Sequence, residues 1–405
     1  MKYTIEQLAD IIDGDRGKNY PKQNEFLGEG YCLFLNTGNV TAEGFSFESN
    51  QFITEEKDRL LNKGKLQRGD IVYTTRGTVG NAAFYSNAVP YENIRINSGM
   101  VIFRCDDEVI NNSFLYQILK SAHYRHYFKS FCTGTAQPQL PIKNLKNITV
   151  NIPARIKQDR IANCLSAYDD LIENNQKQIK LLEEAAQRLY KEWFVDLRFP
   201  GYEDVQIIGG MPEGWESCTL EDVIEFNPKV ILDKERVKQC VPMSALSTSS
   251  MVLNSSEFTL TTSNSGSKFQ NGDTLLARIT PCLENGKTGF VDNIESQEGA
   301  VGSTEFIVMR SKKLNPYMVY LLSRTEDFRK TAINSMTGSD GRQRAQVDKI
   351  RAYEYILPST DVIAKFAENA EPLFKAISVC NRKCKELTEA RDRLLPKLMS
   401  GEIEL

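Results

Sequence analysis

The sequence is short of the residues on which most catalytic and metal centres depend. Histidine occurs twice in 405 residues, at His123 and His126, which leaves little material for metal catalysis or for a Ser-His-Asp triad. The HxxH spacing offers two ligands on one helical face, but Tyr124, Tyr127, Phe128 and Phe131 around it favour an ordinary half-buried helix. The nine cysteines, Cys32, Cys105, Cys132, Cys164, Cys218, Cys240, Cys282, Cys380 and Cys384, are scattered and odd in number, with no CxxC pair. That argues against a zinc ribbon and against a thioredoxin-like redox site. No stretch approaches the roughly 18 apolar residues of a membrane-spanning helix. Met1–Glu6 lacks the basic-then-apolar form of a secretory signal, so a cytoplasmic protein is expected.

An excess of positive charge is missing too. The net charge is −3, which by itself argues against a nucleic-acid partner. Residues 1–152 carry 17 basic and 16 acidic side chains, and residues 201–357 carry 17 and 21. DNA binding would therefore need basic residues gathered on one face, or a partner that supplies them.

What is present begins with length. At 405 residues the chain exceeds one ordinary core, and two or three domains are expected. Hydrophobic residues at 41% and charged residues at 25% let each domain bury a core and keep a polar surface. The chain also repeats itself. Ile152-Pro153 recurs as Leu357-Pro358, a shift of 205 that pairs Ile172 with Ile377, Lys180 with Lys385, Leu182 with Leu387 and Glu184-Ala185 with Glu389-Ala390. Upstream, Leu66-Gln67-Arg68-Gly69-Asp70-Ile71 resembles Phe269-Gln270-Asn271-Gly272-Asp273-Thr274, Thr133-Gly134 resembles Thr337-Gly338, and Thr4-Ile5-Glu6 resembles Thr219-Leu220-Glu221. Shifts there range from about 203 to 215, as in globular units whose loops take insertions. The order reads globule, helix, globule, helix: residues 1–152, 153–199, 200–357 and 358–405.

Each helix has a seam. Ile172, Asn175, Ile179, Leu182, Ala186, Leu189 and Trp193 alternate by three and four, and Ile377, Cys380, Cys384, Leu387, Arg391, Leu394 and Leu398 do the same. So narrow a stripe is expected to bury against the other helix rather than in a globular core, with Asn175 and Arg391 fixing register. Glu183, Glu184, Gln187, Arg188 and Lys191 fall off the seam and are expected in solvent. Phe199-Pro200-Gly201-Tyr202 should end the first helix and Gly401 the second. Gly209–Trp215 reads as an irregular linker. Within the globules Ile71–Thr74, Met100–Phe103 and Glu305–Val308 read as strands, and Phe114–Lys120 and Met318–Arg324 as short helices. Mixed α and β structure is expected.

Enzyme signatures are absent. Pro281-Cys282-Leu283-Glu284-Asn285-Gly286-Lys287-Thr288 ends like a phosphate-binding loop, but proline stands where that loop needs a glycine N–H. Asn315-Pro316-Tyr317 lacks the second proline of an amino-methyltransferase loop, and no glycine-rich cofactor turn follows a strand.

The globules do offer loops suited to DNA. Thr74-Thr75-Arg76-Gly77-Thr78-Val79-Gly80 sets hydroxyls and an arginine among glycines, where backbone approaches a phosphate closely. Thr133, Gly134, Gln137 and Gln139, followed by Lys143, include two glutamines that suit adenine edges. The second copy has Arg278, Thr280, Asn285 and Lys287, then Thr337 and Arg342-Gln343-Arg344, where arginine favours guanine. The same residues also read as polar turns in water, and chemistry alone leaves both readings open.

Order and wording resemble the DNA-specificity subunit of type I restriction–modification systems. The matching phrases are Arg76-Gly77-Thr78-Val79-Gly80, Gln137-Pro138-Gln139-Leu140-Pro141, Met211-Pro212-Glu213-Gly214-Trp215, Ile279–Lys287 and Leu395–Ile403. The resemblance implies an α+β fold: two mixed α/β target-recognition domains in pseudo-twofold repeat, separated by a long antiparallel two-helix coiled coil. It implies a non-catalytic subunit bound to double-stranded DNA, reading a bipartite target. Two modification subunits would carry S-adenosylmethionine and methylate adenine, and restriction subunits using ATP and Mg²⁺ could join. No cofactor or metal is expected in this chain. Pro138 is paired with Arg342 and Leu140 with Arg344, so the half-sites should differ. From Ile172 to Trp193 is 22 residues, on the order of 33 Å at roughly 1.5 Å per residue, close to the roughly 34 Å of one DNA turn. The alternatives are a stand-alone nuclease or methyltransferase with an unfamiliar site, and a scaffold that binds no nucleic acid.

Overall fold

A computed structural model describes residues 1–134, 137–339 and 341–405. The chain divides into two compact units, Met1–Ile172 with Glu386–Leu405, and Glu173–Lys385.

In the first unit, Lys2–Thr4 pairs antiparallel with Thr149–Asn151. A four-stranded antiparallel sheet follows, in the order Ala9–Asp13, Met100–Cys105, Ile71–Thr74, Ala82–Phe84. A second sheet has Cys32–Leu35 between Phe52–Ile53 (antiparallel) and Ile94–Ile96 (parallel). Ile71–Thr74 is buried on both faces, so its apolar run does not alternate with polar residues. Successive side chains still go to opposite sides. Ile71, Tyr73, Val101 and Phe103 join a cluster with Phe114, Leu115 and Ile118 of the helix Asn112–Lys120. Val72, Met100 and Ile102 join Leu33, Leu35 and Ile96 of the other sheet.

The second unit repeats this plan. Glu216–Thr219 pairs with Glu354–Leu357. One sheet runs Ile224–Phe226, Phe306–Ser311, Thr274–Ala277, Thr288–Phe290, and the other Thr259–Thr261, Lys238–Val241, Ala300–Gly302, Ser267–Phe269. Lys238–Val241 lies parallel to Ala300–Gly302, as Cys32–Leu35 does to Ile94–Ile96. Leu276 and Ile307 face one cluster, Leu275 and Val308 the other.

The repeated Gly-Asp phrase has a structural cause. Gly69 and Gly272 both take φ +93, the left-handed conformation glycine allows at no steric cost. Asp70 then accepts the Gln67 N–H (2.7 Å) and pairs with Arg104 (2.8 Å). Asp273 accepts the Gln270 N–H (2.8 Å) and pairs with Arg310 (2.7 Å). Each buried carboxylate ties a turn to the strand beside it.

The long helices are Arg155–Phe194 and Thr360–Ser400. In the first unit Ile161 and Leu165 cluster with Leu395 and Leu398, and Asp169 bonds Arg391 at 2.6 Å. In the second, Gln178 accepts from Cys380 at 3.5 Å, and Tyr190 and Trp193 meet Phe366 edge to face. As one helix ascends its partner descends, so the pairing is antiparallel in both units. The seam residues Ile172, Asn175, Ile179, Trp193, Ile377, Cys380, Arg391 and Leu398 are buried, and Leu182, Leu189, Cys384, Leu387 and Leu394 are half-buried.

Several expectations need correcting. The helical stripe does enter globular cores: Ile179, Ala186, Tyr190 and Trp193 share a cluster with Met251, Leu283 and Phe290. The buried arc is wider than the a and d positions because Tyr190 and Glu183 lie within it. Glu183 is buried, not solvated; its carboxylate accepts from the Met251 N–H (2.8 Å) and the Ser250 hydroxyl (2.7 Å), and burial raises its pKa. The first helix stops at Phe194, before the proline, because Leu197 turns left-handed (φ 58) and the Arg198 N–H closes on the Glu192 carbonyl at 2.7 Å. The stretch 209–215 does not begin as an irregular linker: Met211–Pro212 pairs with Ile207–Ile208 in a hairpin turned by Gly209 and Gly210, both at positive φ. Gly401, at φ +81, follows the last residue of the second helix as expected.

Candidate nucleic-acid interface

The two polar loops singled out in the first unit lie apart in sequence and meet in space. The turn after Ile71–Thr74 is folded on itself: the Asn81 N–H donates to Thr74 Oγ1 (3.0 Å), and Gly77 and Gly80 take positive φ. Thr133 and Gln139 exchange both backbone hydrogen bonds (2.8 and 3.0 Å), and the Leu140 N–H donates to the Thr75 carbonyl at 2.9 Å. Arg76 and Gln139 thereby form a bridge. Gly134 is needed there, since at φ +85 an added Cβ would come within 3.0 Å of the Gln137 carbonyl oxygen. Arg76, Gly77, Thr78, Thr133, Gly134, Gln137, Gln139 and Lys143 are exposed. Thr75 is buried, its hydroxyl donated to the Gly99 carbonyl (3.1 Å), and it shapes the loop from within. Thr135 and Ala136 of this phrase lie outside the described residues.

The second unit makes the same junction with different side chains. Thr337 and Arg344 exchange backbone hydrogen bonds (3.1 and 2.9 Å), the Ala345 N–H donates to Arg278 (2.8 Å), and the Thr280 N–H donates to Gln343 (3.0 Å). These bonds correct the correspondence between the copies. Gln139 matches Arg344 and the buried Leu140 matches the buried Ala345, because the second loop is one residue longer between its paired ends. Thr337, Arg342 and Asn285 are exposed, while Arg278, Thr280, Lys287, Gln343 and Arg344 are half-buried. Arg344 grips Glu305 with both ends of its fork (2.6 and 3.0 Å), and Arg278 Nε lies 3.8 Å from the same carboxylate. The hydrogen-bonded Arg344 holds the Glu305 carboxyl below the usual carboxylate range, against the opposing effect of burial. Lys287 donates to the Met243 carbonyl at 3.0 Å. Thr280 Oγ1 is buried without a partner among the described residues.

The segment resembling a phosphate loop is a turn: the Asn285 N–H closes on Pro281 (2.9 Å), and the strand Thr288–Phe290 follows where a phosphate site needs a helix. His123 and His126 are exposed on the helix Ala122–Lys129. Among the described residues no three His, Cys, Asp or Glu side chains gather as a metal site, and no helix is long and apolar enough to cross a membrane.

Sequence reasoning missed Glu305, which restrains two of the arginines, and missed Arg125 and Arg329, which pack against the same loops. The last pair is separated by 204 positions, as Thr133 and Thr337 are, so the repeat itself carried the signal.

A family profile described as the type I restriction modification DNA specificity domain matches residues 1–184. The chain is 27% identical over 368 residues to the MjaIX type I restriction enzyme specificity subunit of Methanocaldococcus jannaschii, covering 87% of this chain and 82% of that one. It is 22% identical over 465 residues to the HindI specificity subunit of Haemophilus influenzae, covering 96% and 98%. In fold it is similar to a type I restriction–modification S subunit from M. genitalium, with a TM-score of 0.55 at 16% identity over 98% of this chain and 95% of that chain. With a duplicated plan and relatives that match nearly its whole length, the chain is similar throughout to the DNA-specificity subunits of type I restriction–modification systems.

Proposed function

We propose that this chain reads a split, asymmetric DNA target and directs adenine methylation and restriction by partner subunits. The observation that carries this reading is the pair of loop junctions. Backbone hydrogen bonds hold them alike in both units, while the side chains presented differ: Gln137 and Gln139 in one, Arg342 and Arg344 in the other. Amide side chains suit adenine and guanidinium forks suit guanine, so two frames of one design would read unlike half-sites.

In this reading the chain is not itself an enzyme. Two modification subunits bind S-adenosylmethionine and methylate adenine, and restriction subunits supply ATP- and Mg²⁺-dependent cleavage. Partners that share the phosphate contacts account for a recognition subunit of net charge −3. The test is a map of N6-methyladenine in cells carrying the modification partner, with and without this gene. A split, asymmetric motif that vanishes on deletion is expected; methylation unchanged with the partner expressed and bound overturns the reading.

A further inference from the structure

Most buried and half-buried arginines of this protein are neutralised by a carboxylate. Arg95 pairs with Asp58, Arg104 with Asp70, Arg310 with Asp273, Arg344 with Glu305 and Arg391 with Asp169. Arg125 and Arg329 differ. Each is half-buried, each spends one Nη2 donor on a backbone carbonyl (Lys120 at 3.0 Å, Glu284 at 3.2 Å), and each has a buried Nε without a partner among the described residues. Among those residues no carboxylate pairs with either.

Their placement is the same in both units. Arg125 is the fourth residue of the helix Ala122–Lys129, and Arg329 the fourth of Glu326–Asn334. Each lies against a left-handed glycine of the neighbouring strand-to-strand loop. A Cβ on Gly80 (φ +102) would stand 2.9 Å from Arg125 Cγ, and one on Gly286 (φ +80) 2.8 Å from Arg329 Nη2. Those loops differ in length, with seven residues between Thr74 and Ala82 and ten between Ala277 and Thr288. Both still bring a glycine under the arginine. A second cation stands beside each: Lys129 Cε lies 3.6 Å from the Gly80 position, and Arg324 donates to the Gly286 carbonyl at 2.8 Å.

We propose that Arg125 and Arg329 each take a backbone phosphate of double-stranded DNA beside the adjoining loop, one in each recognition unit. A guanidinium offers five N–H donors in a planar fork, and most of these are unspent here. A glycine beneath it, buried and without a Cβ, lets the arginine pack directly on the loop backbone and fixes where the guanidinium sits. Such contacts carry no sequence information; they set the register in which the neighbouring Gln139 and Arg344 loops meet the base edges. The proposal rests on the DNA-recognition reading above and names residues for it.

The test is made on the chain assembled with its modification subunits, by titrating a random-sequence duplex at salt between roughly 50 and 200 mM. Arg125→Gln and Arg329→Gln are each expected to lower the slope of log affinity against log salt by about 0.9, and together by about 1.8. The weakening should be equal on random and on target DNA, leaving the specificity ratio unchanged. Arg→Lys at either position should restore the slope. Where a Gln variant fails to fold, Arg→Met keeps the apolar stem over the glycine and removes the charge. Slopes unchanged in folded Gln or Met variants overturn the assignment and make these arginines structural. A wild-type assembly that shows no salt-dependent duplex binding overturns the DNA reading itself.

Discussion

Asp169 is half-buried among charges on the central helix and bonds Lys120 (3.0 Å), Gln117 (2.6 Å) and Arg391 (2.6 Å). Burial pushes its pKa up, but Lys120, Gln117 and Arg391 outweigh this and hold it below the ordinary 3.8. A depressed carboxylate contributes stability above its unfolded value and loses it as pH falls through the folded one. Asp169→Asn leaves Lys120 and Arg391 buried without their shared counter-charge. The expected cost is about 3 kcal/mol near neutral pH, narrowing as pH drops below 3.8. Urea unfolding of both proteins across pH checks this, and a difference that stays flat with pH would contradict it. Arg391 was legible as a polar seam residue; its partner Asp169 was not, because a helical period says which residues are buried but not which side chain of another turn they reach.

At the scale of elements, the loop junctions matter most. Their strands were readable from apolar runs, and their turns from glycine and threonine. Their register was not readable: counting on from the matching Thr133-Gly134 and Thr337-Gly338 put Leu140 in the place of Arg344, whereas the exchanged hydrogen bonds set Gln139 there. Glu305 escaped notice because it belongs to neither loop in sequence and reaches Arg344 only across the fold. If the junction reads bases, Arg344→Gln combined with Glu305→Gln relaxes one position in one half of the methylated motif, by about 1–3 kcal/mol of discrimination. The other half stays as it was. Methylation mapping of that variant decides it: relaxation in both halves, or in neither, would remove Arg344 from the readers.

At the scale of the whole molecule, the duplication has one consequence for spacing. Helices of 40 and 41 residues run unbroken past the point where the chain divides into its two compact units. Seven residues removed from each, near 173–179 and 379–385, keep the heptad phase and withdraw about 10 Å of helix at roughly 1.5 Å per residue. The unread spacer of the target is then expected to shorten by about three base pairs at roughly 3.4 Å each. A methylation motif of unchanged spacing from a folded, active assembly would sink the idea that the helices act as a ruler.

The sequence by itself determined the duplication, the long helices, the buried strands and the absence of familiar catalytic motifs, because each depends on local period, glycine and proline placement, or residue type along one stretch. Only the tertiary structure decided that the helical seams enter the globular cores, that Glu183 is buried, that Glu305 holds Arg344, and that Arg125 and Arg329 rest on glycines of neighbouring loops. Those facts join residues far apart in the chain. Whether a charge is neutralised or left free depends on which distant side chain packing brings within about 4 Å of it.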